Sequence, residues 1–392
     1  MMWNQIGVKL IHSGPYFIRV FCRRCDKEKF TACVGQSQRF YRKTSVLRCD
    51  RAASCVSVPS WRILFFGSDE FAVESLKRLH ASRADSVVDT LEVVTLSENV
   101  PVRKFAEQHE LRVHQWPVVQ PEGRFDVGVV VSFGCLLRES LINTFPYGVL
   151  NVHPSLLPRW RGPAPVFHTI LHGDKLTGVT IMQIRPRRFD VGPIISQELY
   201  EVPEKSTADK LGGSLAVLGA QLLIDTLRNL PEKIANKTEQ AKEGATFAPK
   251  INSSLSWLVW EEQTCDQIDR LYRAIGSRFY LRTIWMGHTV KLLDFVGKCD
   301  VPFTEISNLA AVPGSVHYQK QSETLLVCCK DGWVGFQTVM LKKKLSAADF
   351  FNGYLHQSIP KKAQFINVCR FQSYREKPRQ SAPTVLQKKT LH

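Results

Sequence analysis

Between Trp61 and Arg228 short, largely apolar runs recur: Ile63 to Phe66, Leu91 to Leu96, Val127 to Phe133, Val149 to Val152 and Val179 to Ile184. A strand with one wet face alternates apolar and polar residues, whereas a nearly continuous apolar strand is covered on both faces. The stretches between these runs have helical or loop character. The first run ends at Gly67, and Ser68-Asp69-Glu70 then opens a segment with Ala72, Leu76 and Leu79 on one helical face. Thr207 to Arg228 reads as a closing helix, with capping-box spacing at Ser206 and Asp209 and a stripe of Leu211, Leu215, Leu218 and Leu222. Strands alternating with helices predict an α/β domain over residues 61–228, a Rossmann-like, mostly parallel sheet.

Residues 229–246 are polar, contain Pro231 and Gly244 and lack apolar periodicity, so they read as a helix-poor linker. Thr264 and Gln267 then form a second capping box. Ile268, Leu271, Tyr272 and Ile275 follow as an apolar stripe that stops at Gly276. Short β-like pieces come next: His288 to Phe295, Gly314 to Tyr318, Leu325 to Cys329 and Val334 to Leu341. One helix with several short strands predicts a smaller, OB-like β-barrel over residues 247–360.

The net charge of +16 is carried by the two ends. Residues 1–60 hold 11 Lys and Arg against 3 Asp and Glu, residues 361–392 hold 8 against 1, and the 300 residues between are nearly neutral. The first 25 residues contain Lys9, Arg19, Arg23 and Arg24, no acid, and interleaved bulky apolar side chains. That composition reads as a mitochondrial transit segment, with a retained nucleic-acid-binding arm as the alternative. No run approaches the roughly 18 apolar residues of a membrane span. The 11 cysteines suit no disulfide framework, since Cys328 and Cys329 are adjacent, and a reducing compartment follows. Cys22 and Cys25 have the spacing of half a zinc site but lack a second pair of ligands, so no metal is expected. The tail 361–392 has too few regularly spaced apolar residues to fold alone.

Open parallel sheets bind ligands at the carboxyl ends of their strands. After the first run there is a single glycine, which argues against a dinucleotide fingerprint. After the run at Val149 come Asn151 and His153, two apart in extended chain and therefore on one side of it. An amide donor beside an imidazole can meet a carbonyl oxygen that is becoming an oxyanion. Taken alone, both residues could equally be turn and core residues. Asp190, after the run at Val179, can reach back to pair with His153.

Asn-x-His-x-Ser-Leu-Leu-Pro from Asn151, Arg-x-Arg-Gly from Arg159, Gly-Val-Thr-Ile-Met from Gly178 and Asp-x-Gly-Pro from Asp190 together resemble the folate-dependent formyltransferase family. Ser155 to Pro165, Phe66-Gly67-Ser68-Asp69-Glu70-Phe71-Ala72 and Asp349-Phe350-Phe351-Asn352-Gly353 are similar to its methionyl-tRNA-specific branch. With the basic leader, the whole is similar to the mitochondrial members, over about residues 61–360. The resemblance implies transfer of a formyl group from 10-formyltetrahydrofolate to the α-amino group of initiator methionyl-tRNA, in the mitochondrial matrix, by a monomer without a metal. Asn151 and His153 would hold the oxyanion. Asp190 would set the His153 tautomer, support its cationic form and relay the proton. Ser155, Leu156, Leu157 and Pro158 would form the folate loop, and backbone around Ser132 to Leu136, including Phe133 and Gly134, would line the pterin slot.

The chain departs from bacterial members in two places. Where they carry a long basic insertion, Thr95 to Pro101 is short, and Ile275 to Tyr280 lacks their Trp-Pro segment. Contacts to tRNA must then fall elsewhere, on Arg159, Arg161, Arg187, Arg188, Lys342, Lys343 and Lys344 or on the tail. Competing readings are another folate-dependent formyltransferase such as a glycinamide ribonucleotide enzyme, which would leave the second domain without a purpose, a formyl-folate hydrolase, and a non-catalytic RNA-binding protein on the same scaffold.

Overall fold

The computed structural model describes residues 60–117, 123–300, 312–355 and 370–374. The leader through residue 59, with Cys22 and Cys25, and tail residues 361–369 and 375–392 lie outside the described residues. The first sheet contains β1 (Trp61–Gly67), β2 (Val88–Thr95), β3 (Val113–Gln115), β4 (Val127–Val131), β5 (Val149–His153), β6 (Leu176–Gln183) and β7 (Ile194–Glu201), in the order β3-β2-β1-β4-β5-β6-β7. Pairings from β3 through β5 are parallel, and those of β6 with β5 and β7 are antiparallel.

Both faces are buried, as the uniformly apolar runs predict. Ile63, Phe65, Val129 and Leu150 pack with Leu76 and Leu79 of α1 (Glu70–Ala81) and with Leu215 and Leu223 of α5 (Ala208–Arg228). Leu64, Phe66, Val130 and Val149 face the other way, onto Phe133, Leu137, Phe145 and α3 (Glu139–Ile142). Asp69 caps α1 by accepting from the Ala72 N–H at 3.1 Å. The cap of α5 is Thr207, which accepts from the Lys210 N–H, and not Ser206. Trp61 ties the first strand to the last turn of α5, its indole N–H donating to the Leu227 carbonyl at 2.7 Å.

The helix-poor expectation for the linker is corrected. Residues 229–246 open with a short helix, α6 (Leu230–Ala235), anchored by fully buried Leu230 with Ile234 packed beside it. Pro231 is tolerated because it lies in the first turn, where its missing N–H is not needed. The chain beyond α6 is laced to the first domain. Thr238 and Ile194 exchange backbone hydrogen bonds at 2.7 and 2.9 Å, the Arg161 N–H donates to the Thr246 carbonyl at 2.9 Å, and the Ala248 N–H donates to the Arg161 carbonyl at 2.7 Å.

The second domain contains α7 (Cys265–Ile275), with both hydrogen bonds of the Thr264/Gln267 capping box, and a second, antiparallel sheet. Its strands β8 (Leu281–Trp285), β9 (His288–Cys299), β10 (Val316–Gln319), β11 (Thr324–Cys328) and β12 (Trp333–Met340) run in the order β10-β11-β12-β9-β8, with β13 (Lys344–Ser346) on β12. Residues 370–372 join β8 to the residues that lead into β10. Ile284 and Gln372 exchange hydrogen bonds at 3.0 and 2.7 Å, and the Phe371 N–H donates to the Gly314 carbonyl at 2.8 Å. Phe371 is fully buried near Trp260 and Phe350. Part of the basic tail therefore closes the barrel, because two open sheet edges and one vacant core position can be satisfied by five residues. The domains dock through α7 and α4 (Pro165–His172): Arg270 donates to the Leu171 carbonyl at 3.2 Å and Arg273 to that of Ser206 at 2.7 Å.

Candidate active site

At the end of β5, Asn151 and His153 point to one side, and both line a cavity of about 400 Å³. The strand-end rule places these two residues but not Asp190. Because β6 is antiparallel to β5, its carboxyl end lies beside Leu150, and the connection 184–193 must return to bring Asp190 to the same cavity. Asp190 sits there with a left-handed φ of 54°, a conformation that Asp tolerates better than most side chains. Its carboxylate accepts the Gly162 N–H at 2.8 Å on Oδ2 and the Asn151 amide at 3.3 Å on Oδ1. Gly162 is required for this approach. Its φ is 115°, and an added Cβ would lie 2.8 Å from the Ala248 carbonyl oxygen.

His153 is buried, and its Nε2 lies 2.9 Å from the Trp160 carbonyl oxygen. A carbonyl can only accept, so Nε2 carries a proton and Nδ1 is the ring atom turned toward Asp190. The expectation that Asp190 fixes the tautomer is corrected: Trp160 does, while Asp190 Oδ1 stands 3.7 Å from Nδ1, too far for a hydrogen bond. Both residues line the cavity at this gap, so a group bound there can pass a proton to the pair. Trp160 is held in turn by Asp174, which accepts its indole N–H at 2.7 Å and takes both prongs of Arg159 at 2.8 and 2.6 Å.

Phe133 and Gly134 line the cavity together with Ser132, Cys135, Leu136 and Ile184. Ser155, Leu156, Leu157 and Pro158 are not among the residues that line it. They form a buttress behind the site. The Thr180 hydroxyl donates to the Ser155 carbonyl at 2.6 Å and accepts the Leu157 N–H at 3.1 Å, and Ser155 Oγ donates to the Arg159 carbonyl at 2.6 Å. The expected tRNA contacts also divide. Arg159 and Arg161 are committed internally, to Asp174 and to Gln240. Arg188 lines the cavity, and Arg187 is exposed with Glu139 at 3.1 Å. Lys342, Lys343 and Lys344 are exposed on the second domain, Lys344 lying 3.7 Å from Asp294. Sequence reasoning missed Asp174, Thr180 and Gln240, which act on the site only through others and carry no local signal.

A second cleft of about 690 Å³ adjoins the first, sharing Ser132, Pro154, Pro163 and Pro165 with it. Its walls come from α1, α4 and α5 and, from the second domain, Arg278, whose guanidinium lies 4.5 Å from the Phe167 ring.

Residues 117–227 match the family model described as formyl transferase, and residues 250–355 that of the formyl transferase C-terminal domain. The mitochondrial methionyl-tRNA formyltransferase of Homo sapiens is 56% identical over 327 residues, covering 81% of this chain and 84% of the relative. This chain belongs to the methionyl-tRNA formyltransferase family. The Bos taurus mitochondrial member is 54% identical over 331 residues, covering 82% of this chain and 85% of its own. A bacterial member from Roseobacter denitrificans is 36% identical over 230 residues, covering 58% of this chain and 70% of its own. Among solved structures, Aquifex aeolicus HypX in complex with tetrahydrofolic acid shares the fold, with a TM-score of 0.50 and 18% identity over 81% of this chain and 51% of that one. The first match takes in β4 to β7 of the first sheet, and the second falls on the domain of the second sheet.

Proposed function

We propose that this chain transfers the formyl group of 10-formyltetrahydrofolate to the α-amino group of methionyl initiator tRNA, acting as a monomer in the mitochondrial matrix. The observation that carries the reading is the meeting of two cavities at one rim, with Asn151, His153 and Asp190 in the first and the second walled by both domains. The first, largely apolar between Phe133 and Ile184, takes the folate, and Arg188 at its wall suits the folate's carboxylates. The second takes the methionyl end of the tRNA. Each cavity is built within one chain, which supports a monomer. The basic leader, acid-free over its first 25 residues, and the mitochondrial relatives support the location.

The amine attacks the formyl carbon, and its lone pair forms the new C–N bond as the carbonyl electrons move to oxygen. The Asn151 amide donates to that oxyanion. The proton leaving the attacking nitrogen enters the gap between Asp190 Oδ1 and His153 Nδ1, and is delivered to the folate nitrogen as the old C–N bond breaks. A positive charge developing on His153 is then met by the Asp190 carboxylate. Incubation with the folate donor and charged initiator tRNA should give acid-stable formylmethionine. Consumption of donor without formylmethionine would overturn the reading in favour of a hydrolase. A reporter fused to residues 1–60 should enter the matrix, and its retention in the cytosol would refute the location.

A further inference from the structure

The segment that joins the two domains holds the catalytic loop through one side chain. Gln240 is half-buried, and its Nε2 donates to two backbone carbonyls of that loop, Asp190 at 2.9 Å and Gly192 at 2.8 Å. Its Oε1 accepts twice from Arg161, from Nε at 2.9 Å and from Nη2 at 2.7 Å. Arg161 in turn belongs to the loop that carries Trp160 and Gly162, the first setting the His153 tautomer and the second donating to Asp190. One amide thus spans the two loops that meet at the proton gap, with all four of its hydrogen-bonding positions used.

The loop it grips needs such a tie. Asp190 and Arg187 both have left-handed φ, at 54° and 65°, conformations that persist only where surrounding contacts over-determine them. Gly192 leaves no slack, since a Cβ there would lie 1.8 Å from the Gln183 carbonyl oxygen. The carboxylate of Asp190 is pinned from one side by Gly162, and its backbone is pinned from the other by Gln240.

We infer that Gln240 is a positioning residue of formyl transfer: it sets the Asp190 carboxylate against His153 and Asn151 by cross-tying the 188–193 loop to the 159–162 loop from the interdomain segment. It lines neither cavity, so its loss acts on the chemical step. Displacement of a catalytic group by about 1 Å can cost on the order of 10²-fold in rate. The inference rests on the transfer reading of the site.

Two substitutions separate the halves of the tie. Gln240→Glu keeps the acceptor for Arg161 and makes it an ion pair, but turns a carboxylate onto the two carbonyls. Gln240→Met keeps the length and removes all four hydrogen bonds. Wild-type, Q240E and Q240M enzymes are assayed for kcat and for KM with the folate donor and with charged initiator tRNA, alongside Tm and the Kd for 5-formyltetrahydrofolate. The expected result is a kcat lowered by roughly 10- to 100-fold in both variants, Q240E at least as impaired as Q240M, with both KM values and the Kd within about threefold of wild type. A Q240E enzyme with wild-type kcat would overturn the inference, because the Arg161 half alone would then suffice. So would a fall in Tm with unchanged kcat of the folded enzyme, which marks a structural tie only. Inactive wild-type enzyme would instead refute the transfer reading itself, so the two failures are distinct.

Discussion

Asp190→Asn removes one charge from the proton gap and leaves the shape nearly intact. The carboxylate stands 3.7 Å from His153 Nδ1, and the two side chains are only 12% and 5% exposed. Coulomb's law at an effective dielectric of about 20 gives ~4.5 kcal/mol for a full positive charge on the imidazole at that distance. The remaining amide dipole and the cavity's water cancel part of this. A loss of about 2.7 to 4 kcal/mol of transition-state stabilisation remains, which is a fall in kcat of roughly 10²- to 10³-fold. The amide also cannot satisfy both of its neighbours as they stand. With its oxygen on the Gly162 N–H its NH₂ confronts that of Asn151, which must turn its own amide over to accept and so withdraws the donor placed for the oxyanion. Single-turnover formylation with saturating donor and charged tRNA reads the chemical step, and 5-formyltetrahydrofolate binding verifies that the cavity is intact. A rate within about threefold of wild type, under ~1 kcal/mol of barrier, would refute the electrostatic role given to Asp190.

Phe371→Ala should cost about 3 to 5 kcal/mol in thermal or denaturant unfolding, because the ring is fully buried in the barrel. A chain ending at Tyr374 should keep the wild-type Tm, whereas one ending at Gln357 should not; an equal Tm for both would deny that residues 370–374 close the barrel. If residues 375–392 touch tRNA phosphates, each lost contact should flatten the log-log salt slope of tRNA binding by about 0.7 to 0.9. In alkylation mapped by peptide mass, half-buried Cys135 should react and be protected by bound folate, since it lines the cavity. Burial pushes the Cys328 thiol up to about 11, so it should stay silent until unfolding; rapid native labelling would contradict its burial. The Arg62 guanidinium beside Asp126 holds that carboxyl below its usual value. A depressed folded pKa stabilises above the unfolded value near 4 and is lost as pH falls through the folded one, so Asp126→Asn should lower Tm at pH 7 and lose its effect in acid. A Tm difference that does not shrink on acidification would refute it.

The sequence by itself determined the two-domain architecture and pointed to all three groups of the site, Asp190 as a residue able to reach back to His153. Strands apolar at every position can be buried only between two layers, and Asn151 and His153 share a side because strand periodicity is two. Thr264 and Gln267 announced their helix because capping is local. What lay beyond the sequence depends on contacts between distant segments. The antiparallel turn of β6, and with it the route by which Asp190 returns to the cavity, follows from how strands pair, which composition does not encode. Ser155 and Leu157 sit next to the site in sequence yet bond to Thr180 through their backbone, because a distant strand brings that hydroxyl to them. Arg159 and Arg161 look like free cations until Asp174 and Gln240 are brought to them. Phe371, one aromatic in a basic tail, gains its place only when two sheet edges formed by residues some 60 to 90 positions away leave a core position for it to fill. Tertiary structure decides these points because each is settled by the complementarity of groups that the chain keeps far apart.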